Sequence, residues 1–180
     1  MRTLIDLTIN EAQLEKTVQR AKEQNIIVPT IAQMKNPDLI PQDIKDRLKE
    51  VELEALDPVN LFRISWYNEP KAKGGLYNAN KLPNYIEIPS ELSGVKARIL
   101  AMSGKFFPIG AHKVGAAYAC LVPRLVTGQF DPTYHEAVWP STGNYCRGGA
   151  FNSKLLGCKS IAILPENMSA ERFNWLKKVA

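Results

Sequence analysis

Two runs decide how this chain folds: FFPIGAHKVGAAYACL, Phe106–Leu121, and EAVWPSTGNYCRGGAFN, Glu136–Asn152. In the first, Pro108, Gly110 and the Ala111-His112 pair lead into Lys113, with Phe107, Ile109, Val114, Ala116 and Ala117 as apolar neighbours. In the second, the apolar residues Ala137, Val138 and Trp139 read as a short strand ending in Pro140, and a Ser141-Thr142-Gly143-Asn144 turn opens directly into a helix. Ligands of open α/β sheets gather beyond the carboxyl ends of strands. A helix start at that place offers unpaired N–H groups and the positive end of a dipole.

Lysine is the side chain whose pKa falls readily on burial, so an apolar setting frees a neutral amine for an aldehyde or for moving a proton. We therefore expect the Lys113 amine to be withdrawn from water. Gly110 and Gly115 leave room for a ring or a phosphate to approach the backbone. His112 has two readings, a phosphate donor or a locally satisfied histidine at a helix start. In the turn, Ser141 and Thr142 bring hydroxyls, Gly143 lets backbone come close, and Asn144 brings an amide donor suited to a phenolic oxygen. Such a turn seats a carboxylate; the plainer alternative is a helix cap by Thr142 or Asn144. Cys146 as a nucleophile would need a histidine base, with only His112 and His135 to choose from, so that chemistry is disfavoured. Arg147 faces either solvent or the substrate region.

Outward from these runs, Val95–Met102 reads as a strand and Lys113–Val126 as a helix in which Pro123 predicts a kink or an early end. Glu136–Trp139 is a strand, Tyr145–Leu156 a helix stopped near Gly157, Lys159–Leu164 a strand and Ser169–Val179 a helix. The alternation predicts an α/β fold with a parallel sheet flanked by helices. Upstream, Asn10 and Gln13 suggest a capping box before a helix bearing Leu14, Val18 and Ala21, ending near Asn25. Pro29, Pro37 and Pro41 punctuate a loop. A second helix from Pro41 carries the stripe Ile44, Leu48, Val51 and Ala55 as far as Asp57-Pro58. These helices form an N-terminal arm. Asn60–Tyr67 reads as extended, with Trp66 a core aromatic, and a loop follows. Its Lys73-Gly74-Gly75 lacks the spacing of a phosphate loop.

The chain of 180 residues suits one domain or two small ones. Its net charge of +5 is spread along the sequence, which excludes a nucleic-acid patch while favouring an anionic ligand. Three cysteines without a C-x-x-C pair point to a reducing, cytoplasmic setting. Asp6 and Glu11 interrupt any secretory leader, and no apolar run has the length of a membrane span. Two histidines without ligand spacing give no expectation of a metal.

Taken together, the P-x-G-x-x-K approach to Lys113 and the later Ser-Thr-Gly-Asn turn resemble the fold-type II pyridoxal-phosphate enzymes, the superfamily of cysteine synthase, threonine dehydratase and the tryptophan synthase β subunit. The likeness covers roughly residues 100 to 180, including RGGAFNSKLLGCKSIAILPENMSAERFNWLKKVA, with weaker matching in NLFRISWYNEP. Gly-Ala-His-Lys is similar to tryptophan synthase β, and Ser-Thr-Gly-Asn to cysteine synthase and the dehydratases. The resemblance implies a tryptophan synthase β-like fold with pyridoxal 5'-phosphate as cofactor. Lys113 would form its Schiff base and act as acid and base at Cα. Asn144 would bond the 3-hydroxyl, His112 would lie at the cofactor, and Ser141, Thr142, Gly143 and Asn144 would hold the carboxylate of a small amino acid. The implied reaction is β-elimination or β-replacement, by a lyase or transferase, and the implied assembly a homodimer. On this plan residues 1–94 form the arm and part of a large cofactor domain. Residues 95–130 form the lysine-bearing strand, loop and helix, and residues 131–180 the start of a smaller substrate-side domain. Two features depart from the pattern. An arginine common after the lysine is missing, and only isolated Gly-Gly pairs (Gly74-Gly75, Gly148-Gly149) stand where the family has a later glycine-rich phosphate cup. The chain therefore looks like the N-terminal part of a longer enzyme. The alternative is a noncatalytic relative that needs a partner chain for the phosphate cup.

Overall fold

The structure, a computed structural model, describes residues 6–70, 73, 75–76 and 81–179, so Gly74 of the Lys-Gly-Gly turn lies outside it. The chain is mixed α/β, with helices and two small sheets, one of them parallel. It divides into two compact units: Met1–Val28, Leu56–Pro58 and Lys113–Ala180 in one, Pro29–Ala55 and Val59–His112 in the other. Among the described residues no helix is long and apolar enough to cross a membrane.

The first unit holds the parallel sheet. Strands β3 (Ala137–Pro140) and β4 (Ser160–Ile163) pair in parallel, with Val138 opposite Ile161 and Trp139 opposite Ala162. Parallel neighbours need a long crossover, and helix α6 (Asn144–Leu155) supplies it. Trp139 is buried and its Nε1–H donates to the buried Ser153 hydroxyl of α6 at 3.1 Å. The flat ring fits because Gly149 has no side chain; a Cβ there would overlap the indole. Helix α5 (Lys113–Val126) turns Val114, Ala117, Tyr118, Leu121, Val122 and Leu125 inward at the three- and four-residue spacing of a helix face. Pro123 lies inside it without ending it. The Pro123 carbonyl accepts from the Thr127 N–H at 3.0 Å and from its hydroxyl at 2.8 Å, closing the last turn.

Helix α1 (Glu11–Glu23) belongs to the same unit, with the Asn10 side chain accepting the Gln13 N–H. Arg20 from its last turn donates to the Leu156 carbonyl at 3.2 Å and to that of Gly157, which occupies acceptors that the end of α6 leaves open. Helix α7 (Ala170–Val179) closes the unit. It buries Leu176 and Val179 and sets Trp175 under the Arg147 guanidinium, 4.5 Å from the ring centre. Arg147 is thus a packing residue of α6.

The second unit departs further from the sequence reading. Asn60–Tyr67 is not extended: Pro58–Arg63 is a 3₁₀ helix with Val59 through Arg63 buried. Its polar residues explain why. Arg63 donates to Asn60 at 2.5 Å and to the carbonyls of Val51 at 2.8 Å and Leu48, while Asn60 donates to those of Glu52 and Ala55, both at 2.8 Å. Helix α3 (Gln42–Leu48) accordingly stops at Leu48, and the carbonyls beyond it serve the buried arginine and asparagine rather than further helical turns. A full reciprocal capping box stands at Thr30 and Gln33, not at Asn10, and starts helix α2 (Ile31–Lys35) inside the stretch expected to be loop.

The expected strand at residues 95–102 shortens to β2 (Ile99–Met102) and does not join the parallel sheet. It pairs antiparallel with β1 (Tyr85–Ile88) through the short helix α4 (Ser90–Ser93) and a left-handed Gly94 at φ 70°. A connection of ten residues between strand ends is too short for a parallel crossover. The bidentate Arg98–Glu87 pair, at 2.8 and 2.9 Å, clamps this exposed ribbon.

Gly149→Ala sets two effects against each other. Helix propensity favours alanine by about 1 kcal/mol, while forcing extra volume into a filled core costs about 1–3 kcal/mol, and more where the backbone cannot move. The overlap with a ring held by its own hydrogen bond should win. We expect a net loss of stability, read as a lower denaturant midpoint with an unchanged slope.

Candidate functional site

The site is built where α6 begins. After β3 the chain is anchored by the Ser141 N–H, which donates to the Ile163 carbonyl of β4 at 3.1 Å. The Ser141 hydroxyl accepts from the Gly143 N–H at 3.2 Å, tightening the turn. Gly143 is buried and occupies the N-cap position, and no side chain caps the helix; the first helical bond runs from Arg147 N–H to the Gly143 carbonyl at 3.0 Å. Neither Thr142 nor Asn144 is a cap. Both are exposed, and the Asn144 side chain makes no hydrogen bond to the described residues.

Lys113 is the first residue of α5 and belongs to the same unit as the turn. The two helices meet with almost nothing between them. A Cβ on Gly148 would stand 2.8 Å from the Val114 Cα and 2.9 Å from the Lys113 carbonyl. One turn further along α6, the buried Asn152 amide donates to the Val114 carbonyl at 2.8 Å. The first turn of the lysine helix is thus fixed on the helix that begins at Ser-Thr-Gly-Asn, and Asn144 precedes Gly148 by one turn, about 6 Å of helix.

One expectation is corrected. The Lys113 side chain is exposed rather than held among apolar groups. Its neighbours in sequence take the interior instead. Val114, Ala117 and Tyr118 form the inward stripe of α5, and position 113 lies off that stripe. Phe107, Pro108, Ile109 and Ala111 are buried within the other unit, where Ile109 is held at φ 57° and its N–H donates to the Leu53 carbonyl at 2.9 Å. A left-handed β-branched residue is rare and costs about 1–3 kcal/mol. His112 also belongs to that unit, exposed and stacked on Trp66 with ring centres 5.8 Å apart, and Trp66 in turn meets Phe107 edge-on at 5.0 Å.

Three further residues, at the turn and along α6, gave no sequence signal. Arg172 of α7 donates from Nη1 to the Thr142 carbonyl at 3.2 Å. Tyr145, edge-on to Trp139 with ring centres 5.5 Å apart, donates its hydroxyl to the Cys120 sulfur of α5 at 3.4 Å; that bond, with burial, pushes the phenol pKa up to about 12. Asn152 is the third. Only a pattern pairing residues some thirty apart would have marked Arg172. Cys146 is fully buried and burial raises its pKa, the opposite of what activates a nucleophile.

Neither a protein-family model nor a curated protein sequence matches this chain.

Two outcomes follow from the geometry. Asn152→Ala removes the amide that anchors the α5 start and should cost about 1–2 kcal/mol, with the loss seen in native-state hydrogen exchange at Val114 and its neighbours. The thiols should separate cleanly. Cys120 alkylates first, while Cys158, whose pKa burial pushes up to about 11 against the opposing charge of Arg20, reacts only on opening. Because the folded thiol holds its proton more tightly than the unfolded one, stability from this group is complete below pH 9 and is lost as pH rises toward 11. Urea midpoints across that range check it.

Proposed function

We propose that this chain is a pyridoxal-phosphate-dependent lyase or transferase, or the N-terminal portion of one. It would act on a small amino acid by β-elimination or β-replacement, on a tryptophan synthase β-like scaffold. The observation that carries the reading is the direct packing of the Lys113 helix start on α6 at Gly148 and Asn152. Lys113 and the uncapped strand-to-helix turn thus belong to two contacting helices of one unit.

The residues present fit the cofactor at one end. Lys113 is accessible for covalent attachment to an aldehyde, and the unengaged Asn144 amide can meet a phenolic oxygen. The first-turn N–H groups of α6, without a side-chain cap, can receive a substrate carboxylate alongside the Ser141 and Thr142 hydroxyls. When bound, pyridoxal phosphate supplies an electron sink for the amino acid's Cα electrons. The chain's own part is then to orient the carboxylate at the turn and to move the Cα proton on the Lys113 amine. A homodimer would be the assembly and the cytoplasm the setting.

A second reading, a noncatalytic relative that relies on a partner chain, is favoured by one observation: Lys113 is exposed rather than enclosed in an apolar pocket.

Titration of the purified protein with pyridoxal phosphate should produce a visible absorbance band. Borohydride should then trap the adduct on the peptide containing Lys113. Lys113→Ala should abolish both signals, and Asn144→Ala should weaken cofactor retention about tenfold, the worth of one hydrogen bond. L-Serine, O-acetyl-L-serine, L-threonine and L-cysteine added in turn identify the amino acid by the shift of the band. An adduct at another lysine, or no band, rejects the enzyme reading.

A further inference from the structure

The peptide joining Thr142 to Gly143 is the hinge of the turn. A trans peptide points its carbonyl and its N–H in opposite directions. Here the Thr142 carbonyl faces the Arg172 guanidinium, and the Gly143 N–H faces the Ser141 hydroxyl. Because residue 143 is glycine, this plane could rotate at little steric cost. A rotated plane would break both contacts, swinging the carbonyl away from Arg172 toward the Ser141 hydroxyl and disturbing the N-cap residue of α6. Arg172 opposes that rotation from the first turn of α7. Its Nη1 sits 3.2 Å from the carbonyl oxygen and 3.9 Å from the Met168 sulfur, and no carboxylate among the described residues competes for it. A Cβ on residue 143 would come within 3.3 Å of the guanidinium carbon, so the arginine occupies the space that the glycine leaves.

We propose that Arg172 is the positioning residue of the Ser-Thr-Gly-Asn turn. It holds the Thr142–Gly143 peptide, and with it the N-cap of α6, in place, and so governs affinity for the amino acid rather than attachment of the cofactor. This rests on reading the turn as the carboxylate seat. Arginine suits the task because its charged donor is planar and rigid, and its hydrogen bond to a carbonyl is stronger than a neutral one. Lysine keeps the charge and a donor but carries them on a flexible stem.

The test uses the full chain with Arg172→Met, Arg172→Lys and Gly143→Ala, the last displacing the guanidinium without removing it. In cofactor-free protein, exchange of the Gly143 amide, which is bonded to the Ser141 hydroxyl, should speed up about tenfold in Arg172→Met, with lysine in between. In protein carrying pyridoxal phosphate, the concentration of L-serine or of the responding amino acid that half-shifts the band should rise about tenfold, with cofactor affinity and Lys113 trapping unchanged. Should Arg172→Met fail to fold, Arg172→Lys supplies the same two measurements. A wild-type exchange rate at the Gly143 amide in the Arg172 variants overturns the proposal, as does weakened cofactor binding with unchanged amino-acid affinity. Absence of any band in the unaltered protein rejects the enzyme reading instead, and the exchange measurement then decides the role of Arg172 by itself.

Discussion

Bare backbone pressed on bare backbone organises the unit that carries the candidate site. Gly148 lets the start of α5 rest on α6, and Gly149, the next residue around the helix, lets the Trp139 ring of β3 rest on another side of it. Two hydrogen bonds from buried side chains, Asn152 to the Val114 carbonyl and Trp139 to Ser153, fix the rotation of α6 between those neighbours. Side chains at either glycine would hold the layers apart. The consequence for function is geometric: the lysine helix and the Ser-Thr-Gly-Asn turn cannot drift relative to each other without breaking this packing.

The other unit is held by a different device. Arg63, wholly buried, and Asn60 satisfy the carbonyls of a loop that has no regular partners of its own. Such a guanidinium is expensive to bury unless its donors are engaged, and expensive to remove once loop carbonyls depend on it. The unit therefore folds around a polar knot where the first folds around small residues. The exposed β1–β2 ribbon adds little core to it, since all eight strand residues face solvent.

Charge at the turn matches its proposed use. The free N–H groups of α6 and the Arg172 guanidinium both favour an anion, and no acidic side chain lies in the turn to neutralise them. The amine at Lys113 is a separate matter. It stands in solvent rather than in an apolar pocket. Placement of the two groups on contacting helices and tuning of their chemistry are thus distinct problems.

Local sequence by itself determined the elements whose signals are local. The period of α5, the strand–turn–helix run through Trp139, Ser141 and Asn152, the parallel β4 and the helix before Val179 are all legible, because apolar spacing and a turn composition act within a few residues. The same rules failed at Asn60–Tyr67, where burial rather than strand pairing explains the apolar run. They failed again at residues 95–102, where a short connection dictates an antiparallel partner. They also misjudged Lys113, since apolar neighbours in sequence become neighbours in space only if the helix turns that way. Tertiary structure alone decided what Gly148, Gly149, Asn152 and Arg172 do. Each acts on a group ten to thirty-eight residues distant in sequence, and a contact of that kind is specified by the packing of whole elements, not by any pattern within one of them.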